Sequence, residues 1–129
     1  MQAIIEWFLS FILFAVSVIQ ATPSVEAASG PSQLTTEQLT QVLIETEWPP
    51  DWIPGGLAIA WCESKFSSYA QGDSGSSLGI FQLWDGWFRE GEDPFNPHTN
   101  ATVALRVRQT RGRFGGSGGW ACADLLGIP

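Results

Sequence analysis

The chain reads as one small, mainly α-helical domain of the α+β type, carried behind an apolar N-terminal segment. Three observations predict this. About a hundred of the 129 residues follow the apolar segment, enough for one domain. Apolar residues suit helices in three separate stretches of that remainder. Between the second and third stretches lies a turn-rich region that ends in a β-branched and aromatic run, long enough only for a short strand.

Residues 1–27 form the first element. "IIEWFLSFILFAVSVIQA" is almost unbroken apolar sequence, and "TPSVEAASGPS" then turns small and polar. That order is the pattern of a secretory signal, with candidate cleavage points after Ala27 and after Ala21. The segment has no Lys or Arg and carries Glu6. It is also nearly long enough to span a bilayer, so a retained membrane anchor through residues 4–21 is the alternative. Either reading places the domain outside the cytoplasm, secreted or held at the membrane. Residues 28–34, "ASGPSQL", read as a linker, and residues 35–129 as the domain proper.

Thr35 or Thr36 can cap a first helix, with Glu37 and Gln38 in its first turn. Leu39, Val42 and Leu43 give it one apolar stripe. Pro49, Pro50 and Pro54 end it. A second helix is predicted from about Pro54 to about Ser64. Leu57, Ala58, Ile59, Ala60 and Trp61 leave it no polar face, which predicts a central, buried helix.

Glu63 falls in the last turn of that helix. A helix C-terminus disfavours a carboxylate anion, and so do apolar surroundings. Both raise the pKa, towards a carboxyl that keeps its proton near neutral pH, as a general acid must.

"SSYAQGDSGSS" reads as turns and "LGIFQLW" as a short strand or ordered loop. One helical turn is expected around Trp87, then a proline-limited loop. Asn100 is the predicted cap of a third helix. Its Val103, Ala104 and Val107 face the core, and its arginines face out. The sequon Asn100-Ala101-Thr102 is read only as that capped helix. A glycine-rich turn, "GRFGGSGGW", leads Trp120 and Cys122 back to the body.

The net charge is -7. Arg106, Arg108, Arg111 and Arg113 cluster, but on a helix they read as a solvated face, and the acidic total argues against a nucleic-acid partner. Cys62 and Cys122 form no CxxC pair and His98 is the only histidine, so a metal site is poorly supplied and no cofactor is expected. An even cysteine count in an exported chain predicts one disulfide, worth about 4 kcal/mol on the chain-entropy account. Two independent buried thiols are the alternative.

"CESKF", "GSSLGIFQLW", "DPFNPHTNATVAL" and "GWAC" follow one another in an order that resembles the lysozyme-like muralytic domains. The soluble lytic transglycosylase type is the most similar. Its Glu-Ser pair corresponds to Glu63-Ser64, and its Gly-Leu-Met-Gln-like stretch to Gly79-Ile80-Phe81-Gln82. The cysteine positions also resemble those of the resuscitation-promoting factors, in which the two are bridged. The resemblance spans roughly residues 36–124. The transglycosylase Ala-Tyr-Asn motif has no counterpart here, which leaves the exact reaction open.

The resemblance implies a lysozyme-like fold and cleavage of the β-1,4 bond between N-acetylmuramic acid and N-acetylglucosamine in peptidoglycan. Glu63 would protonate the glycosidic oxygen and then accept the proton of the sugar's 6-hydroxyl, leaving a 1,6-anhydro end. A hydrolytic muramidase needs a second carboxylate. Asp73 is the first candidate and Asp85 the next, although "GDSG" is also ordinary turn chemistry. Gln82 would hydrogen-bond substrate or order its loop, and Ser64 would close the helix or touch sugar. Trp84, Trp87 and Trp120 could stack on sugar faces or serve the core. Tyr69 could bring a hydroxyl near the acid. The expected partner is the glycan strand, met by a monomer. A non-catalytic module that holds peptidoglycan or chitin is the reading from another class.

Overall fold

A computed structural model describes residues 32–129. The signal-or-anchor segment and residues 28–31 of the expected linker lie outside the described residues. Those described form four α-helices, a small three-stranded sheet and one disulfide. None of these helices is long and apolar enough to cross a membrane.

The described residues begin inside the expected linker. Gln33 bridges Ser67 in antiparallel fashion, the Leu34 N–H donates to the Phe66 carbonyl at 3.0 Å, and Leu34 is buried. Helix α1 then spans Thr36–Glu45. Thr35 and Gln38 cap it reciprocally: the Gln38 N–H donates to Thr35 Oγ1 at 3.1 Å, and the Thr35 N–H to Gln38 Oε1 at 2.9 Å. Its buried residues are Leu39, Val42 and Leu43.

A 3-10 turn over Pro50–Trp52 runs into α2, Ile53–Ser64. Lys65 ends α2 in the left-handed conformation, with φ 54°. The expectation of a fully enclosed α2 is corrected. Only Gly56, Ile59 and Ala60 are buried there, and Trp61 is 48% exposed. The outer side of Trp61 is covered locally instead, by the edge of Phe66 (centroids 5.1 Å apart) and by the Lys65 ammonium at 5.2 Å. The small residues of α2 serve close approach. Gly56 lies against the Trp48 ring and Gly55 against Ile128.

Strands β1 (Gln71–Gly72), β2 (Ser77–Leu78) and β3 (Leu83–Trp84) form an antiparallel meander, with Gln71 opposite Leu78 and Ser77 opposite Trp84. Asp73, Ser74 and Gly75 turn between β1 and β2 with φ of 50°, 58° and 90°. A 3-10 turn at Asp85–Trp87 follows β3.

Helix α3 spans Pro97–Arg111 and is the most enclosed element, with Asn100, Ala101, Val103, Ala104, Leu105 and Val107 buried. Its cap is Asn96, whose Oδ1 accepts the Thr99 N–H at 3.1 Å, and not Asn100. Pro97 occupies the first helical position, where its missing N–H costs nothing. Asn100 is instead a buried crosslink. It accepts the Phe81 N–H at 2.9 Å and donates to the carbonyls of Leu78 at 3.0 Å and Pro94 at 2.9 Å.

The solvated-face reading is corrected for three of the four arginines, while Arg113 is exposed. Arg106 pairs with Glu92 at 2.7 Å, and Arg108 lies 4.2 Å from the Trp52 ring centroid and 4.9 Å from that of Phe114. Arg111 binds four carbonyls of the following loop.

Helix α4, Ala121–Leu126, closes the chain where only a return to the body was expected. It packs on α2, and the Cys62–Cys122 disulfide joins them with a Cα–Cα distance of 5.9 Å. Beneath the sheet, Trp48 stacks on Phe81 (5.2 Å) and Phe114 (6.1 Å), and Trp120 packs against the same two rings at 6.3 and 5.6 Å. The Trp48 indole N–H is satisfied by the Ala101 carbonyl at 3.0 Å. This aromatic cluster is the floor on which the candidate site is built.

Candidate active site

An open cleft of about 330 Å³ lies between the sheet, the end of α2 and the glycine-rich loop before α4. Glu63 stands in its wall, together with Asp73, Gln82, Trp84, Trp87 and Trp120. Sequence positions spread over almost sixty residues therefore meet at one surface.

Glu63 is half-buried. Its Oε1 accepts the backbone N–H of Cys122 at 3.3 Å, a donor in the first turn of α4. Burial disfavours the carboxylate and pushes the pKa above its ordinary 4.5. The Cys122 N–H opposes this, and the charge of Asp73 adds to it. Burial outweighs the hydrogen bond, so the proton is held more firmly than on a free glutamate. The disulfide fixes this arrangement, because it joins the residue before Glu63 to the residue whose N–H contacts it.

Asp73 is exposed on the turn after β1, and its Oδ2 accepts the Ser77 hydroxyl at 2.5 Å. Gln82 has φ 47°, a left-handed backbone that a non-glycine residue adopts at a cost. Its Nε2 donates to the carbonyls of Ala70 and Gly79, both at 3.0 Å. Both protons of the amide are thus used in ordering the loop, while Oε1 has no protein donor among the described residues. Gly72 faces that oxygen: a methyl there would come within 2.5 Å of it. Gln82 is therefore both a loop-ordering amide and an acceptor on the cleft.

Trp84 is 61% exposed on the rim. Trp87 is half-buried beside it. Trp120 is buried, and its indole N–H donates to the Phe81 carbonyl at 2.8 Å, so it presents a fixed aromatic floor.

Three other candidates lie elsewhere. Ser64 donates to the Ile80 carbonyl at 2.7 Å and to the Ala60 carbonyl at 3.1 Å. Its hydroxyl ties α2 to the segment that carries Gln82. Tyr69 is 61% exposed and packs near Phe95, with centroids 6.1 Å apart, outside the cleft lining. Asp85 is exposed and also outside it.

The sequence reading missed Ser77 and the backbone wall of Gly118 and Gly119. The glycine run was the available signal for the wall, since backbone lines a cleft where side chains are absent. Among the described residues, no group of His, Cys, Asp and Glu side chains could hold a metal ion.

The arrangement offers one carboxyl with a raised pKa, a second carboxylate lining the same open cleft, one amide acceptor and aromatic walls. It suits proton donation to a polar ligand with apolar faces, such as a sugar chain. No family model, curated protein or solved structure matches the chain.

Proposed function

We propose that the protein is an extracytoplasmic, lysozyme-like glycosidase that cleaves the β-1,4 bond between N-acetylmuramic acid and N-acetylglucosamine, most simply as a lytic transglycosylase. The observation that carries the reading is Glu63: a half-buried carboxyl with a raised pKa in the wall of an open, tryptophan-rimmed cleft. Glu63 donates its proton to the glycosidic oxygen as the bond to the anomeric carbon breaks. The substrate's N-acetyl oxygen stabilises the cationic carbon. The 6-hydroxyl oxygen then bonds to that carbon, and its proton returns to Glu63. Atoms balance without water, and one carboxyl serves both steps. Trp84 offers a face for a sugar ring, and Gln82 Oε1 an acceptor for a sugar N–H or O–H.

Asp73 supports a second reading. It lines the same cleft, and its charge acts on Glu63. In a hydrolytic muramidase it would be the second carboxylate. Sacculi digested with the full chain and analysed by mass separate these readings. Products lighter by one water than reducing ends support the transglycosylase. Reducing ends alone make it a muramidase. Binding to sacculi without any cleavage overturns both and leaves a glycan-binding module.

A further inference from the structure

One stretch of the cleft wall, Gly118–Gly119, presents backbone alone. Residues 114–120 contain Gly115, Gly116, Gly118 and Gly119, and two of these lie at positive φ (83° at Gly116, 81° at Gly118). Such a segment loses much backbone freedom on ordering, and glycine loses the most. No hydrophobic side chain between Gly115 and Gly119 anchors it.

Its largest set of hydrogen bonds comes from one guanidinium, beside a turn bond from the Gly119 N–H to the Gly116 carbonyl at 2.9 Å. Arg111 Nη1 donates to the carbonyls of Arg113 at 3.1 Å and Phe114 at 3.0 Å. Nη2 donates to those of Gly115 at 2.9 Å and Ser117 at 3.0 Å. The Phe114 carbonyl also accepts the Trp120 N–H at 2.9 Å, which closes the loop at its base. Asp124 Oδ1 takes the Gly116 N–H at 2.9 Å. A methyl on Gly119 would collide with Arg111 Nη1, so guanidinium and wall pack without space for a side chain. Four directed hydrogen bonds from one planar fork lie beyond the reach of a lysine ammonium.

We infer that Arg111 is a positioning residue: it orders the Gly118–Gly119 wall, and through that wall sets the affinity for the glycan. The affinity half rests on the function proposed above; the ordering half does not.

Two readouts on the full chain test it. In Arg111→Lys, the Gly119 and Trp120 amides are expected to exchange hydrogen at least about tenfold faster, while α3 amides keep their protection. The wall concentration that half-saturates clearing is expected to rise about tenfold, with the maximal rate within about twofold of wild type. A purely structural role would lower thermal stability without that split. Unchanged loop protection overturns the proposal, and so does unchanged half-saturation with a loosened loop.

Gly118→Asn tests the wall without touching Arg111. Asparagine tolerates the left-handed backbone, and no atom lies within 4 Å of the new Cβ. Weaker half-saturation is expected, and unchanged affinity removes the wall from recognition. If the wild type neither binds nor clears walls, the glycosidase reading fails, while amide exchange still decides whether Arg111 orders the loop.

Discussion

Removing the disulfide, as Cys62→Ser with Cys122→Ser, tests how the small domain and its candidate acid are held together. The bond spans a sequence separation of 60. On the chain-entropy account, closing such a loop restricts the unfolded chain by about 14 cal/mol/K, or about 4 kcal/mol at 25 °C. A domain of this size has roughly 5–15 kcal/mol of stability in total. At about 4–8 °C per kcal/mol, the melting temperature should fall by roughly 15–30 °C. Thermal melts followed by circular dichroism, with reduced wild type in parallel, measure it directly. The loss is also local. The bond holds the start of α4 against the end of α2, where the Cys122 N–H reaches Glu63 Oε1. Wall clearing should therefore drop at a temperature where the variant is still folded. A fall of less than about 5 °C, with clearing unchanged, would refute the reasoning.

Asp73→Asn removes a negative neighbour that raises the Glu63 pKa, so the alkaline fall in activity should begin at lower pH; loss at every pH, measured on sacculi, would instead make Asp73 the second carboxylate. The folded Glu63 pKa lies above 4.5, so the stability this group contributes is full below about pH 4.5 and is lost as pH rises through the folded value. Glu63→Gln should accordingly gain in melting temperature over wild type between pH 4 and pH 7, and a difference independent of pH would contradict the raised value. Gly56→Ala would bring a methyl within 2.5 Å of Trp48 Cζ3. Overpacking of that kind costs about 1–3 kcal/mol, readable as a shifted denaturant midpoint with unchanged slope.

The helices were legible where their signals are local. Thr35 with Gln38, the prolines at 49, 50 and 54, and the apolar spacing of α1 act within a turn or two of chain. Asn100 misled because Asn96-Pro97 is a competing cap signal four residues earlier, and nothing nearby in sequence says that the Asn100 amide crosslinks Phe81, Leu78 and Pro94. Helix α4 has only six residues, too few for periodicity to register. Arg106, Arg108 and Arg111 read as a solvated face because their partners, Glu92, Trp52 and the loop carbonyls, are brought to them by the fold. Within the site, Glu63, Asp73, Gln82 and the tryptophans at 84, 87 and 120 could be named in advance and share the cleft. The Cys122 N–H on Glu63 could not, since it depends on where α4 docks. Ser64 comes from the Glu-Ser pair of the resemblance, and of its two readings the hydroxyl's bonds to the Ala60 and Ile80 carbonyls agree with closing the helix; Tyr69, offered as a hydroxyl near the acid, is exposed and packs near Phe95 instead.

The central claim is that Glu63 supplies the proton that breaks a glycosidic bond in the cell wall. Glu63→Gln keeps the side chain's size and an oxygen for the Cys122 N–H, and removes the transferable proton together with the carboxylate charge. Clearing of sacculi by this variant, alongside circular dichroism to establish its fold, is the most direct test. The account predicts an intact fold and loss of nearly all clearing. A folded Glu63→Gln protein that clears walls at close to the wild-type rate would contradict it.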